Sequence, residues 1–300
     1  MDTCDGGTVR RLLVVPILAL ALSAPAAAAT PSVATAPVKT IKAGQGKIGY
    51  RSVGSGRPIV LIMGLSGTMD AWAPAFVDEL AKHHRVITFD NEGIRKSTLG
   101  KGKLSIRRMG DNTASLIRAL KLRRPDVLGW SMGGMIAQSF ARRHPDLVRR
   151  LVLCATAPGD HRATGPSGGV LGAITDPSNP TALLGLLFPP GQDAATAAYV
   201  KGILSYPKAS PTAPSAVTKA QFEASTAWLL GQEPSGRPLR KLTLPVLVAG
   251  GELDQLLPIA NEWHIAGALP HATLVTYPDA GHGFFFQHPE FAARVESFLG

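Results

Sequence analysis

The stretch that decides the fold is Val127-Leu128-Gly129-Trp130-Ser131-Met132-Gly133. The apolar run at 127–130 predicts a buried strand, and the apolar spacing of 132–144 predicts a helix that Pro145 stops. Ser131 stands between them in a G-x-S-x-G pattern. A sharp strand-to-helix turn strains its central residue and crowds the positions two residues away, which favours glycine at both. This placement predicts a serine nucleophile at the positive end of a helix; the alternative is a glycine-rich structural turn.

Strands and helices alternate on both sides of this turn. Continuous apolar runs predict strands buried on both faces, and apolar residues spaced three or four positions apart predict helices. The predicted strands are 58–63, 85–90, 127–130, 151–154, 245–249 and 273–277, and the predicted helices are 73–84, 105–120, 132–144 and one that starts near Pro289. The alternation predicts an α/β fold with a mostly parallel, doubly wound sheet.

One segment, 160–240, interrupts the alternation. It holds 10 of the 24 prolines and no apolar run of the buried-strand type. Its apolar spacing predicts short helices, so we expect a helical cap inserted into a core formed by 41–159 and 241–300. Five aromatic residues of the insertion are expected either to line an apolar roof over a pocket or to form the insertion's own core: Phe188, Tyr199, Tyr206, Phe222 and Trp228.

The N-terminal 29 residues have the layout of a secretory signal peptide. Arg10 and Arg11 precede an apolar run at 12–22, and small residues with an A-x-A site follow. The run is too short for a stable membrane anchor, which needs about 20 residues. We therefore expect 1–29 to be removed, 30–40 to be a disordered leader, and the mature chain to be secreted or periplasmic, or associated with the cell envelope. A frayed N-terminal arm or a mis-chosen start codon is the alternative.

Composition excludes several other classes of protein. The chain of 300 residues is 45% hydrophobic and 17% charged, which is unlike an acidic disordered chain, and its two cysteines exclude a disulfide scaffold. The net charge of +10 is concentrated in 81–150, where 16 Lys and Arg face 5 Asp and Glu. Because no nucleic-acid-binding motif is present, solvated arginine-rich helix faces are favoured over a nucleic-acid partner. Anionic lipid and anionic substrates stay open as partners of this region.

A serine hydroxyl needs a base to remove its proton, and His282 is the favoured histidine. It lies in Gly281-His282-Gly283, just beyond the predicted strand at 273–277, where flanking glycines allow close approach. Imidazole titrates near the working pH of an enzyme, as a general base requires. The other seven histidines are assigned structural positions: His83, His84, His144, His161, His264, His271 and His288.

An acid is needed to orient that base, and Asp254 is the favoured one. It follows the predicted strand at 245–249, at the carboxyl edge where catalytic groups collect in parallel sheets. Glu252, two residues closer to the strand, is one alternative. Asp160 in the loop after the strand at 151–154 is another.

The chain order Ser131, Asp254, His282, with the turn and the insertion, resembles the α/β-hydrolase family over about 41–299, in its serine-hydrolase branch with a cap domain that includes esterases and haloperoxidases. The resemblance implies that these three residues form the catalytic triad. It also implies an oxyanion hole formed by the backbone amides of Met132 and Leu65.

This sequence departs from the family pattern in two loops. Many relatives carry His-Gly at the start of the oxyanion loop, where this chain has Met63-Gly64. Many also carry Asp-x-Arg-Gly-x-Gly-x-Ser after the fourth strand. Here that segment has Glu92 in place of the arginine and Arg95 in place of the second glycine.

The resemblance implies an exported serine hydrolase that cleaves a carboxylic ester, thioester or lactone of a small, mostly apolar molecule through an acyl-enzyme on Ser131. A serine nucleophile argues against dehalogenase and epoxide hydrolase relatives, which use aspartate. No cofactor and no metal ion are expected, since the chain has no H-E-x-x-H and no paired cysteines. Cofactor-free haloperoxidase or perhydrolase chemistry and C–C bond hydrolysis, which use the same triad, are alternatives. A non-catalytic ligand-binding protein on this fold is a further one.

Overall fold

A computed structural model describes residues 1–2, 31–175, 182–210 and 212–300 of the chain. Apart from its first two residues, the predicted signal peptide lies outside the described residues. The strands are β1 Lys39–Ala43, β2 Gly46–Val53, β3 Arg57–Ile62, β4 His84–Phe89, β5 Asp126–Trp130, β6 Leu151–Cys154, β7 Val246–Gly251 and β8 Ala272–Tyr277. The helices are α1 Pro74–Leu80, α2 Ile106–Ala119, α3 Met132–Arg143, α4 Gly168–Thr175, α5 Ala182–Leu187, α6 Asp193–Leu204, α7 Ser215–Leu229, α8 Ala260–Ala268, α9 Phe284–Gln287 and α10 Phe291–Leu299. Short 3-10 helices lie at Met69–Ala71, Pro145–Leu147, Pro234–Gly236 and Leu239–Lys241.

The eight strands form one sheet in the order β1-β2-β4-β3-β5-β6-β7-β8. The pairs β1–β2 and β2–β4 are antiparallel, and every pair from β4–β3 to β7–β8 is parallel. The predicted α/β class with a mostly parallel, doubly wound sheet is therefore confirmed. Because β3 to β8 run in one direction, the loops that follow β3, β5, β7 and β8 meet at a single edge, which we name the reaction edge.

Hydrophobic cores on both faces of the sheet explain why its strands contain continuous apolar runs. In β3, Val60 and Ile62 belong to the core on one face, and Ile59 and Leu61 belong to the core on the other. All four side chains are completely buried. This arrangement requires an apolar residue at every position, as expected for a parallel sheet covered on both sides.

The hairpin of β1 and β2 was not predicted, and the expectation of a disordered leader at 30–40 is wrong for residues 31–40. Val33 is completely buried, and its backbone N–H donates to Asp78 Oδ1 at 2.7 Å. Arg51 of β2 donates through Nε to the carbonyl oxygen of Ala36 at 3.0 Å. The composition of the segment is typical of a linker, but a valine in the core and two long-range hydrogen bonds hold it against the domain.

Helices α4 to α7 lie in the segment between β6 and β7, and large aromatic residues attach this insertion to the core. Trp228 of α7 is completely buried and donates through Nε1 to the carbonyl oxygen of Ala157 at 3.0 Å. The Tyr206 hydroxyl donates to the carbonyl oxygen of Trp72 at 2.8 Å. These two aromatic residues therefore anchor the insertion. No helix among the described residues has the length and apolar character needed to cross a membrane.

Candidate active site

The turn from β5 to α3 has the strained geometry that the sequence predicts. Ser131 has φ 59° and ψ −126°, a left-handed conformation that a non-glycine residue rarely adopts. A Cβ atom at Gly129 would lie 2.3 Å from the carbonyl oxygen of Gly133, and one at Gly133 would lie 2.0 Å from that of Ile62. Both glycines are therefore required by space, and the strain holds Ser131 at the start of a helix.

Asp254 and His282 meet at the reaction edge as a buried pair. Asp254 Oδ2 and His282 Nδ1 are 2.7 Å apart, and the two side chains are 1% and 4% exposed. The other carboxylate oxygen, Oδ1, accepts hydrogen bonds from the N–H groups of Leu256 at 2.8 Å and Leu257 at 3.0 Å. Since an ionised carboxylate only accepts, Nδ1 carries the hydrogen, and Nε2 is left free to accept a proton.

The two alternative acids lie elsewhere. Glu252 Oε1 accepts a hydrogen bond from the Thr276 hydroxyl at 2.7 Å on the surface. Asp160 Oδ2 lies 2.7 Å from Nε2 of His264 on α8. Each of them has its own partner, so Asp254 alone of the three is in contact with His282.

The loop after β8 packs against the end of β5. Trp130, which precedes Ser131, donates through Nε1 to the carbonyl oxygen of His282 at 3.0 Å. The indole and imidazole ring centroids are 5.7 Å apart. Among the described residues, however, no hydrogen bond joins Ser131 Oγ to the His282 ring. The structure thus places Asp254 on His282 and places His282 beside the residue before Ser131.

The loop that follows β3 lies next to Ser131. A Cβ atom at Gly64 would lie 3.0 Å from Ser131 Cβ and 3.5 Å from its Oγ, so this loop passes close to the serine and a side chain at this position would crowd it. Met132 is the first residue of α3, and its N–H therefore has no intrahelical acceptor. The amides of Leu65 and Met132, predicted to form an oxyanion hole, belong to residues directly adjacent to Gly64 and Ser131. Their role stays a prediction.

The insertion holds the loop after β3 in place. The Ser66 N–H donates to Gln221 Oε1 of α7 at 2.9 Å, and the Ser66 carbonyl oxygen accepts from the Ala213 N–H at 2.6 Å. The Thr68 hydroxyl donates to the carbonyl oxygen of Ser210 at 2.5 Å. Gln221 is completely buried, and sequence reasoning missed it because a single glutamine in a helix carries no local signal.

The two residues that depart from the family pattern after β4 form ion pairs. Glu92 accepts hydrogen bonds from Arg108 at 2.9 and 3.2 Å. Arg95 adopts φ 49° and contacts the buried carboxylate of Asp70. Asp70 also contacts Arg51 of β2, so one buried carboxylate lies between two guanidinium groups. The loop geometry is therefore maintained by charge pairing rather than by the glycine and arginine of the pattern.

Asp90, at the end of β4, is a buried acid that supports the same region. Its Oδ1 accepts a hydrogen bond from the Met69 N–H at 2.8 Å, and its Oδ2 is buried without a hydrogen-bond partner among the described residues. Burial raises the pKa of the Asp90 carboxyl to about 6, although Arg95 lowers it in part. The folded protein therefore binds this proton more tightly than the unfolded chain, whose aspartates titrate near 3.9.

Stability is therefore expected to fall through Asp90 as the pH rises from about 4 to about 7, and to lose nothing further from this group above that range. The Asp90→Asn variant keeps an acceptor for Met69 and removes the titration. The quantity to compare is the free energy of unfolding of the variant minus that of wild type. This difference should be more favourable to the variant at pH 8 than at pH 4 by about 1–3 kcal/mol. Urea unfolding at both pH values measures this difference, and an identical difference at both would contradict it.

A second buried acid, Glu262 of α8, lies between Asp254 and the turn at Ser131. Its Oε1 accepts a hydrogen bond from the Thr156 N–H at 2.6 Å, and the Thr156 hydroxyl donates to the Ser131 carbonyl oxygen at 2.7 Å. Burial raises the pKa of Glu262 well above its usual value, and the nearby Asp254 carboxylate raises it further. Sequence reasoning missed this residue because only the fold brings α8 under the turn at Ser131.

Comparison with known proteins agrees with this architecture. The sequence profile of a family described as alpha/beta hydrolase fold matches residues 57–170 and 195–289. BpoC of Mycobacterium tuberculosis, which carries the name of a non-heme bromoperoxidase, is 31% identical over 258 residues that cover 81% of this chain and 93% of the relative. The pimeloyl-[acyl-carrier protein] methyl ester esterase of Aliivibrio salmonicida is 27% identical over 263 residues, which are 83% of this chain and 95% of that relative.

A solved structure shows the same fold. An alpha/beta hydrolase fold protein from Chitinophaga pinensis superposes with a TM-score of 0.80 at 29% identity, and the match covers 90% of this chain and 99% of that one. The family profile covers well over half of the chain, and its two matched ranges include parts of the insertion. The chain belongs to the alpha/beta hydrolase fold family.

Proposed function

We propose that this protein is a serine hydrolase that cleaves a carboxylic ester, thioester or lactone of a small, mostly apolar molecule through an acyl-enzyme on Ser131. The observation that carries the proposal is the buried Asp254–His282 pair, 2.7 Å between Oδ2 and Nδ1, at the edge where the strained turn holds Ser131. Binding alone does not require an acid, an imidazole and a strained serine at one edge, which weighs against a non-catalytic role.

In the proposed mechanism, Ser131 Oγ attacks the carbonyl carbon while His282 Nε2 accepts the hydroxyl proton. Asp254 keeps the imidazole in the tautomer with its proton on Nδ1 and stabilises the imidazolium that forms. His282 then gives the proton to the leaving alcohol, thiol or lactone oxygen. A water molecule, activated by the same imidazole, hydrolyses the acyl-enzyme. In this mechanism the hydrogen bond between Ser131 Oγ and His282 Nε2 forms when substrate binds, since catalytic hydrogen bonds are often long or poorly aligned in the free enzyme.

The oxyanion of the tetrahedral intermediate is proposed to bind the N–H groups of Met132 and Leu65. Met132 lies at the N-terminus of α3, where the helix dipole favours negative charge. Gly64 lies so close to Ser131 that a side chain there would crowd the serine, and Leu65 is the next residue of the same loop. A single oxyanion donor contributes about 10²–10³ in kcat, so the position of this loop affects the rate strongly.

The apolar substrate preference rests on aromatic residues that lead away from Ser131 into the insertion. Trp130 and Phe286 are 5.5 Å apart between ring centroids, and Phe286 is 4.5 Å from Tyr199 of α6. Tyr199 in turn lies 5.6 Å from Phe188. This row of rings supports an apolar acyl pocket under the insertion, in which the insertion acts as a cap.

A panel of p-nitrophenyl esters of increasing acyl length tests the proposed function. We expect turnover by the wild type, strongest with short or medium acyl chains. We also expect a fluorophosphonate to phosphonylate Ser131 with loss of fluoride, and mass spectrometry to locate the phosphonate on that residue. The Ser131→Ala variant is the control. Equal p-nitrophenol release by the two proteins, without labelling, would reject catalysis and favour the ligand-binding alternative.

Similarity to BpoC favours perhydrolysis as a second candidate, since that relative carries the name of a bromoperoxidase. In this reaction the acyl-enzyme on Ser131 is attacked by hydrogen peroxide in place of water, and the peracid formed oxidises bromide. Adding acetate, peroxide and bromide with a brominatable dye tests it. Dye bromination faster than ester hydrolysis, and absent in Ser131→Ala, would make perhydrolysis the principal activity.

Export is part of the proposal and rests on the sequence of 1–29. Expression of the full chain in a bacterial host, followed by fractionation and mass spectrometry, should find a mature protein that begins near Thr30 outside the cytoplasm. A Leu18→Arg variant, which interrupts the apolar run, should stay uncleaved inside the cell. Uncleaved wild-type protein in the cytoplasm would contradict export and leave the proposed hydrolase activity untouched.

A further inference from the structure

A groove with a volume of about 530 Å³ lies at the edge of the sheet opposite the reaction edge. Arg57 is the first residue of β3, Arg123 and Arg124 precede β5, and Arg149 precedes β6. These are the amino ends of parallel strands. The groove is therefore separated from Ser131 by about one strand length, which for six residues is roughly 20 Å. Its lining residues are Arg57, Leu122, Arg123, Arg124, Asp146, Leu147 and Arg149.

Most of the positive charge in this groove is not neutralised. Arg149 binds Asp126 bidentately at 2.9 and 2.6 Å. By contrast, within residues 31–175, 182–210 and 212–300 no carboxylate oxygen lies within 4.0 Å of a guanidinium nitrogen of Arg57, Arg123 or Arg124. All three side chains are exposed. Arg149 is neutralised by Asp126, so the three remaining arginines and Asp146, the only carboxylate in the lining, give the groove a net charge of two positive units.

The chemistry of the lining selects a class of ligand. A guanidinium group presents five N–H donors in a planar fork that matches the oxygens of a phosphate. Three such groups converge on a groove whose floor includes Leu122, which is buried, and Leu147, which is partly buried. We propose that this groove binds a phosphate-bearing anion, either free or as the headgroup of a lipid.

Anion binding at this groove would use part of the basic segment 81–150, which has no role in the proposed hydrolase reaction. Arg123, Arg124 and Arg149 belong to the segment 81–150, where 16 basic residues face 5 acidic ones. Five of these basic residues lie on α2 and α3, and most of the others lie in loops. At this edge the excess is concentrated around a concave surface. Concave surfaces of one charge sign focus the electrostatic field and concentrate counter-ions.

The test compares two variants that lose the same charge. Arg57→Gln/Arg123→Gln removes two uncompensated guanidinium groups from the groove, and Lys39→Gln/Lys42→Gln removes two exposed lysines from β1. Two probes are used: inorganic phosphate against chloride at constant ionic strength, read by thermal denaturation, and co-sedimentation with phosphatidylglycerol or phosphatidylcholine vesicles. Circular dichroism and ester turnover, which depends on the opposite edge, check that both variants are folded.

Wild type and the lysine variant are expected to bind a phosphate probe. The arginine variant is expected to bind it about 10- to 30-fold more weakly, because it lacks the contribution of two arginines near an anionic surface. Asp146→Asn, which removes the only acid of the groove, should bind about 3-fold more tightly. Sedimentation with phosphatidylglycerol, without stabilisation by phosphate, assigns a lipid headgroup; stabilisation by phosphate without sedimentation assigns a free anion.

Two results would overturn the proposal. One is equal loss of binding in the arginine and lysine variants, which would show that net charge alone acts. The other is failure of the wild type to bind either probe. Because ester turnover is measured on the same proteins, failure at this groove is distinguished from failure of the proposed hydrolase function.

Discussion

Replacing Ser131 by alanine is expected to lower kcat for ester hydrolysis by about 10⁵–10⁶-fold, because no other group near His282 can form the acyl-enzyme. Alanine at this position keeps the same backbone strain, since both residues carry a Cβ at φ 59°. The free energy of unfolding should therefore change by less than about 0.5 kcal/mol. Stopped-flow and long-time-course assays with the best ester of the panel, together with urea unfolding, measure both quantities.

A Ser131→Gly variant separates the role of the hydroxyl from that of the strain. Glycine adopts φ 59° and ψ −126° without the penalty of a side chain, so this variant should be more stable than Ser131→Ala by about 1–3 kcal/mol while being equally inactive. Stability and activity then change in opposite directions relative to wild type. If Ser131→Ala retained even a tenth of wild-type turnover, the residue would not be the nucleophile.

The second large effect is on folding. Gly133→Ala is expected to destabilise the protein by more than about 3 kcal/mol, because the new methyl group would lie 2.0 Å from the backbone carbonyl oxygen of Ile62, which cannot move without breaking β3 from β5. We expect low soluble yield, and a lowered urea midpoint for whatever protein is recovered. Gly133 is thus required by the close approach of α3 to the sheet.

Gly267→Ala is the matched control for this substitution. Gly267 lies in α8, and a Cβ atom there meets no other atom within 4 Å. The same chemical change should therefore stabilise the protein by about 0.5–1 kcal/mol through helix propensity. Similar stabilities of the two variants would show that the turn after β5 can relax, which would weaken the argument for its strain.

Most of the parallel part of the fold could be predicted because β3 to β7 are buried on both faces, whereas β8 at the edge of the sheet is only partly buried. Continuous apolar runs mark β3 to β7 within one or two residues of their observed bounds, and alternation with helices gives the direction of the strands. The hairpin of β1 and β2 could not be found in this way. In β1 only Ala43 is buried while three of its five residues are exposed, so its sequence carries no run of apolar residues.

The candidate site was predictable to the extent that its residues lie at strand ends. Gly129, Ser131 and Gly133 form a local pattern with a steric cause. Asp254 follows β7, which is buried, and His282 follows β8, which is only partly buried. Supporting residues were not predictable, because their partners are far away in sequence: 106 positions separate Thr156 from Glu262, and 155 separate Ser66 from Gln221. Such pairs are brought together only by the sheet order and by the packing of the insertion.

If the proposed hydrolase function holds, the three hydrogen bonds between the insertion and the loop after β3 would link substrate size to reactivity. Displacing the insertion far enough to admit a bulky molecule would pull on the backbone that carries the proposed oxyanion donor Leu65. A compact substrate would then react with this loop undisturbed, whereas a larger one would react more slowly. The discrimination between acyl chains of different length would then be seen in kcat as much as in KM. Shortening the Gln221 side chain would reduce this dependence of kcat on acyl length.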